Sequence, residues 1–286
     1  MKKIILTAAI ILWAASAAPA QVVSFKLAGG LTSIDGSDYN QALTGLNRIL
    51  EDTSSSLTGR FEPLRSGLHF QAEIINWFFP AFGVGLGGGY YRVSRENTVT
   101  GQGLSSGVPY DFLSTVSARV SAIPIFINLH VLLRPLSRLA VDVFAGPVFQ
   151  VVQFNFENTL ISSFGSLDQT ETFTASQTAF GGQAGLGLNL DLFPGASLVV
   201  EGCQRFGRVA NLQGNWSLRG TSDLGPINQT SAEAVAWYYE LAAGAVYPRL
   251  GFFGSGGPAG EGVSNARKAE LDLSGLVVSA GVKLSF

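Results

Sequence analysis

The sequence predicts an all-β fold, a closed antiparallel up-and-down β-barrel that crosses a membrane. Three observations lead there: long segments with apolar residues at every second position, a composition too apolar and too sparsely charged for an ordinary soluble domain, and an alternation of short Pro-containing turns with long polar stretches. Of 286 residues, 47% are hydrophobic, 13% are charged and 35 are glycine; an average soluble domain carries about 25% charged residues and about 7% glycine. Beyond the N-terminus no run of about 20 apolar residues occurs, which argues against membrane-spanning helices. The aromatic and aliphatic content excludes disorder. With 18 basic against 20 acidic residues there is no basic excess, and no nucleic-acid partner is expected.

Residues 1–20 read as a signal peptide. Met1-Lys2-Lys3 is a positive n-region, Ile4 to Trp13 an apolar core of about ten residues, and Ala18-Pro19-Ala20 a small-x-small cleavage pattern. The remaining domain, 21–286, is the barrel. An N-terminal anchor helix is the competing reading, but the apolar core is too short to span a bilayer. Cys203 is the single cysteine, so no intrachain disulfide is possible.

Eight strands are expected, with ten as the alternative. Val22 to Ile34 opens the set. The stretch 35–60 is a loop containing a helix, in which Ser37-Asp38 caps Tyr39, Ala42, Leu43, Leu46, Ile49 and Leu50 at helical spacing, ending before Ser54-Ser55-Ser56. That helix packs on its own loop, covers the barrel mouth, or lies against lipid headgroups. The second strand sets Arg65, Gly67, His69, Gln71 and Glu73 against Leu64, Leu68, Phe70, Ala72 and Ile74; a glycine-rich strand follows over 82–95. In 115–133 the apolar parity changes near Pro124, from Val116, Ala118 and Val120 to Ile123, Ile125 and Ile127, which reads as a β-bulge. Residues 141–156 come next. The clearest alternation spans Gln177 to Leu192, with Leu186, Leu188, Leu190 and Leu192 on one face and Gln183, Gly185, Gly187, Asn189 and Asp191 on the other. About ten tilted residues cross a hydrocarbon core, with the apolar face on lipid and the polar face on the lumen. Strands 197–209 and 276–286 complete the set.

Short turns at 78–81, 134–138 and 193–196 oppose long polar loops at 35–60, 96–114, 157–176 and 210–268, the asymmetry expected of such a barrel. Within the last loop, Val235 to Leu241 and Tyr247 to Phe253 form a hairpin beyond the membrane or, with a turn at Pro248, two further strands; a helix over 232–246 also fits. Aromatics gather at both strand ends: Trp77, Phe78, Phe79, Phe82, Phe193 and Phe286 near the short turns, and Tyr90, Tyr91, Phe112, Phe154, Phe156 and Phe206 near the long loops. Two interfacial belts are expected.

Strand parity nominates a lumen network of Arg65, His69, Gln71, Glu73, Arg119, Asp142, Gln150, Gln183, Asn189, Asp191, Glu201, Arg205 and Lys283. Buried charges must be paired, so an internal plug of ion pairs and hydrogen bonds is expected. Catalysis is not. Of the two histidines, His130 lies near the short turns, and His69 is about 13 Å from Glu73 along the strand. No Cys/His metal spacing occurs and no cofactor is expected. Gly83 to Gly89 lacks the Lys-Ser/Thr of a phosphate loop and serves packing instead.

The final strand alternates Leu276, Val278, Ala280, Val282, Leu284 and Phe286 against Ser279, Gly281, Lys283 and Ser285, and ends on an aromatic. Together with the leader and the low charge, this resembles small bacterial outer-membrane β-barrel proteins of the OmpA-like and OmpW-like kind. The resemblance implies Sec export, location in the Gram-negative outer membrane among its lipids, and recognition of the Phe286 strand by the barrel-assembly machinery. No peptidoglycan-binding domain is expected after the barrel, unlike full-length OmpA-like proteins. The implied role is structural or surface-interacting with an unidentified extracellular partner; the alternative is a porin-like or lateral-opening conduit for small or hydrophobic molecules. A soluble β-sandwich is the competing architecture.

Overall fold

The chain is described from a computed structural model over residues 22–105, 107–242 and 245–286; the signal-peptide segment lies outside them. The alternation seen in sequence folds into long antiparallel strands: β1 (Val22–Ser33), β2 (Ser54–Thr58), β3 (Ser66–Phe79), β4 (Phe82–Ser105), β5 (Val108–Leu136), β6 (Leu139–Ser162), β7 (Leu167–Phe193), β8 (Ala196–Ala210), β9 (Gln213–Ser222), β10 (Gly225–Ala242), β11 (Val246–Phe253), β12 (Val263–Lys268), β13 (Glu270–Asp272) and β14 (Gly275–Ser285). Among the described residues the only α-helix is α1 (Ser37–Thr53).

Up-and-down pairing follows chain order from β3 through β8, and β8 pairs with β14, β14 with β1, and β1 with β3, so the pairings return to their start. The first and last strands meet along Ser24↔Ser285 to Thr32↔Val277, extended by Phe286 N–H donating to the Val23 carbonyl at 2.9 Å. Short turns at Pro80–Ala81, Ser137–Arg138 and Pro194–Gly195 join the hairpins at one end. Gly195 takes φ 84°, a left-handed conformation that glycine adopts without strain.

Period-two burial persists along each strand. In β5 the even residues from Phe112 to Leu132 are buried, whereas Ile123, Ile125, Ile127 and Leu129 are exposed. The expected bulge at Pro124 is therefore absent. Register across to β6 stays constant through Pro124↔Gln150, and the ladder to β4 is interrupted only between Gly88↔Ile125 and Tyr91↔Ala122. The apparent parity change has another cause. Val116, Ala118 and Val120 point to the inner face, whose outer half is an apolar core shared with Val93, Val152, Phe154 and Phe173.

Two expected loops are strands. Residues 96–114 and 157–176 continue β4–β5 and β6–β7 as hairpins far past the apolar band. Their outward face is polar and their inward face mixes buried Asn97, Ser114 and Ser162 with Val99, Phe112 and Phe173, so no continuous aliphatic face shows, yet the ladder holds them. Within 210–268 the described residues include β9 to β12, so a helix over 232–242 is excluded, and Val235↔Phe253 to Leu241↔Tyr247 pair as a hairpin. It hangs from β9, which pairs with β7 over 168–175. β8 leaves β7 beyond Gly181↔Gly207 and pairs instead with β13.

Helix α1 caps the apolar core. Tyr39 packs edge-on against Phe154 at 5.9 Å, and Leu43 and Ala42 are buried. The Ser37-Asp38 cap is not formed: Gly36 is the N-cap, in a left-handed conformation and with no side-chain cap. Asp38 is instead drawn sideways, accepting two bonds from the Arg267 guanidinium, at 2.5 and 2.6 Å, and the Glu270 N–H at 2.8 Å. Tyr247 donates to Asp52 at 2.7 Å near the other end of the helix. Asp38 holds Arg267 above its ordinary pKa, and burial raises the Tyr39 hydroxyl.

Candidate functional site

Below the apolar core, the inner face is polar and closely connected. Lys26 on β1 lies between two carboxylates, with Nζ at 2.6 Å from Glu73 and 2.5 Å from Glu201. Gln71 donates to the other Glu201 oxygen at 2.8 Å, and Asn128 donates to Glu73 at 2.8 Å. His130 bridges Glu73, 2.9 Å from Nε2, and Asp142, 3.0 Å from Nδ1. Gln183 extends the network to Asn128 at 3.1 Å, and His69 reaches Gln71 at 3.2 Å. Each of these side chains is buried. The network ties six strands across the ring, and its hydrogen bonds let charged groups persist away from water.

Glycine makes room for it. Glu73 faces Gly87 across β3–β4, His130 faces Gly83 and Asn128 faces Gly85 across β4–β5, and Asp142 and Glu201 both flank Gly187. A Cβ on Gly85 would fall on the Glu73 carboxylate and the His130 ring, and one on Gly185 would meet Cys203 and Phe144. The inward glycines of β4 and β7 thus leave space for large side chains on their neighbours, which accounts for much of the unusual glycine content.

The structure places the nominated residues unevenly. His69, Gln71, Glu73, Asp142, Gln150, Gln183, Asn189, Glu201, Arg205 and Lys283 are buried. Asp191 lies at the short-turn end, 3.3 Å from Arg134 and 2.6 Å from Ser197. Two residues do not belong. Arg119 is exposed, because without a parity change its odd position faces outward, and Arg65 is exposed ahead of β3. Neither Arg205 nor Lys283 has a carboxylate partner within ion-pair distance among the described residues, so the expected pairing of buried charges does not extend to these two. The groups that serve the carboxylates are the Lys26 ammonium and the His130 ring. Lys26 went unnoticed although Ser24, Lys26 and Ala28 alternate with Phe25 and Leu27 in the sequence; Asn128 and His130 share the parity opposite Ile127 and Leu129.

Aromatic placement also splits. Phe78, Phe79, Phe82, Phe193, Tyr90 and Phe286 are exposed, Phe78, Phe79 and Phe193 at the rim of the short-turn end. Trp77 and Tyr91, however, point inward. Trp77 donates to Ser24 at 3.0 Å, and the Tyr91 hydroxyl donates to Gln150 at 2.8 Å. Both share the odd parity that buries Glu73 on β3 and the inward glycines on β4. Phe112 and Phe154 are buried in the apolar core for the same reason.

A cavity of about 900 Å³ opens at the short-turn end, lined by Trp77, Phe79, Arg134, Asp191, Phe193 and Lys283 among others. His130 cannot act as a base from its present setting, since both ring nitrogens are engaged by carboxylates. Among the described residues there is no group of three or more His, Cys, Asp or Glu arranged to hold a metal.

No family model matches the chain, and no curated protein matches it. Among solved structures it is similar to a major outer membrane protein from Thermus thermophilus, at 14% identity over 93% of this chain and 100% of that one with a TM-score of 0.36. It is likewise similar to the outer membrane protein OprG from Pseudomonas aeruginosa, at 13% identity over 92% and 95% with a TM-score of 0.40. A third is the outer membrane protease OmpT from Escherichia coli, at 11% identity over 94% and 97% with a TM-score of 0.31. All three are outer-membrane β-barrel proteins.

Proposed function

We propose that the chain is a bacterial outer-membrane β-barrel protein in which β1, β3 to β8 and β14 close an eight-stranded barrel with a sealed lumen, serving a structural or surface-interacting role. The outer face supports this most strongly. Leu68, Phe70, Ile74, Leu86, Ile125, Leu129, Phe180, Leu188, Val200 and Val278 are all exposed around the ring. An apolar surface of that extent is untenable in water. On β5 it runs from Ile123 to Leu133, and ten residues rising about 3.3 Å each, tilted by about 40°, span roughly 25 Å, the height of an outer-membrane apolar band. Beyond it the outward residues turn polar, with Arg92, Ser94, Arg119 and Gln153 exposed. A soluble sandwich would bury this band.

Residues 1–20 direct export through the Sec pathway, the Phe286 strand is the signal read by the barrel-assembly machinery, and outer-membrane lipids cover the band. The Lys26–Glu73–Glu201 network plugs the lumen, α1 and the apolar core close its outer half, and the long hairpins meet a partner outside the cell. Separation of β8 from β7 above Gly181 favours a second reading, a lateral conduit for small or hydrophobic molecules. Reconstitution in planar bilayers decides between them. The plugged barrel gives no steady single-channel steps; reproducible steps would overturn the seal and favour the conduit.

A further inference from the structure

Two buried cations have no carboxylate partner among the described residues, Lys283 towards the short-turn cavity and Arg205 deeper inside. Arg205 is among the largest fully buried side chains, lies with its guanidinium carbon 4.8 Å from the Tyr91 ring centre, and has no carboxylate within 4 Å among the described residues. Its Nε and Nη2 hydrogens have no acceptor. A nearby donor is unmatched as well. Tyr91 holds the Gln150 carbonyl oxygen at 2.8 Å, which leaves the Gln150 amide nitrogen without a partner. His69, directly across the ladder from Tyr91, gives its Nε2 hydrogen to the Gln71 carbonyl oxygen, so its unpartnered Nδ1 is an acceptor in the neutral ring. The network's glutamates are committed elsewhere, Glu201 to Lys26 and Gln71 and Glu73 to Lys26, His130 and Asn128. Gln183, opposite Arg205 on β7, has an unpartnered carbonyl oxygen. A neutral amide oxygen can satisfy one N–H but cannot balance a buried charge, and uncompensated burial of an ion is strongly unfavourable.

From this surplus of buried donors beside an uncompensated cation, we propose that the chain holds a small inorganic anion of the halide class between Arg205 and Gln150, inside the ring of strands. A halide suits the setting because it accepts hydrogen bonds from any direction and brings no donor of its own. Its site is built from the buried face alone, so it stands or falls independently of the membrane reading.

Bromide is the probe. Crystals of the full chain grown in detergent with sodium bromide should show an anomalous peak in hydrogen-bond contact with the Arg205 guanidinium and the Gln150 amide. Arg205→Gln should abolish that peak, and Arg205→Lys should retain it at reduced occupancy. In solution, the bromide NMR line should broaden with the wild-type chain and lose that broadening with Arg205→Gln. Ordered water alone at the site in the wild type overturns the proposal, as does a peak that survives Arg205→Gln. If Arg205→Gln does not fold, the wild-type map decides, and Gln150→Leu, which removes a neutral donor, should lower the bromide occupancy; unchanged occupancy overturns the assignment of Gln150.

Discussion

Replacing Lys26 by methionine removes the one cation shared by Glu73 and Glu201 while keeping nearly the same side-chain volume. The side chains of the two ion pairs are at most 3% exposed, with separations of 2.6 and 2.5 Å. Loss of the ammonium leaves two carboxylates facing each other without water. Breaking a buried pair in this way costs about 3–5 kcal/mol, and the conserved volume keeps any packing contribution below about 1.5 kcal/mol. The reference is Arg134→Ala at the short-turn end, whose partner Asp191 sits 3.3 Å away with side chains 58% and 33% exposed; an ion pair that open contributes at most about 1 kcal/mol. Urea unfolding in phospholipid vesicles, followed by tryptophan fluorescence, measures both. Lys26→Met should lose several times more stability than Arg134→Ala, and the triple variant Lys26→Met, Glu73→Gln, Glu201→Gln should recover most of the loss. A Lys26→Met cost no larger than that of Arg134→Ala would refute the view that the inner network is a water-free plug.

Asp38→Asn should release α1 from Arg267 and the Glu270 N–H; losing a charge-assisted set worth about 1.5–3 kcal/mol raises the rate of limited proteolysis within 37–60 by about 10- to 100-fold, and an unchanged rate would mean that the helix is held by packing alone. Gly85→Ala places a methyl on the Glu73 carboxylate and the His130 ring and should cost about 1–3 kcal/mol. By contrast, Gly202→Ala, with open space around its Cβ position, should stay within about 0.5 kcal/mol in the same unfolding assay. Protease added to intact cells should cut the hairpin tip at 222–225 and the segment 254–262 while sparing the turns at 80–81, 137–138 and 194–195; the opposite pattern would invert the orientation.

Period two made the ring legible. Gln177 to Leu192 and Leu276 to Phe286 declared both faces in the sequence, and the short turns fell at Pro80 and Pro194 and, past Pro135 at the end of β5, at Ser137–Arg138. The polar centre was legible wherever one parity is polar over several steps, as in His69, Gln71 and Glu73. What hid was the outer half of the inner face. Val116, Ala118 and Val120 carry the same residue types as a lipid-facing stretch, and only tertiary contact with α1 and the apolar core distinguishes them. Arg119 was misassigned for that reason, since its place depends on the parity of Val120. Trp77 and Tyr91 illustrate the same ambiguity. Aromatic type alone fits an interfacial belt, but Ser24 and Gln150, contributed by distant strands, draw these rings inside. The hairpins over 96–114 and 157–176 were hidden because their inward positions mix core residues such as Val99, Phe112 and Phe173 with buried Asn97, Ser114 and Ser162, which breaks the hydrophobic alternation. Lys26 was missed for a lesser reason, as its parity is plain in the opening strand.

The central claim is that hydrocarbon covers the outer face of the ring. Spin labels placed one at a time at positions 186 to 190 of β7, in a Cys203→Ala background reconstituted in lipid vesicles, test it most directly. Leu186, Leu188 and Leu190 are exposed and Asn189 is buried. A lipid-covered ring predicts high collision rates with molecular oxygen and low rates with a water-soluble nickel chelate at 186, 188 and 190, with neither relaxant effective at 187 and 189. Ready access of the nickel chelate to 186, 188 and 190, or protection of all five positions from oxygen, would contradict it.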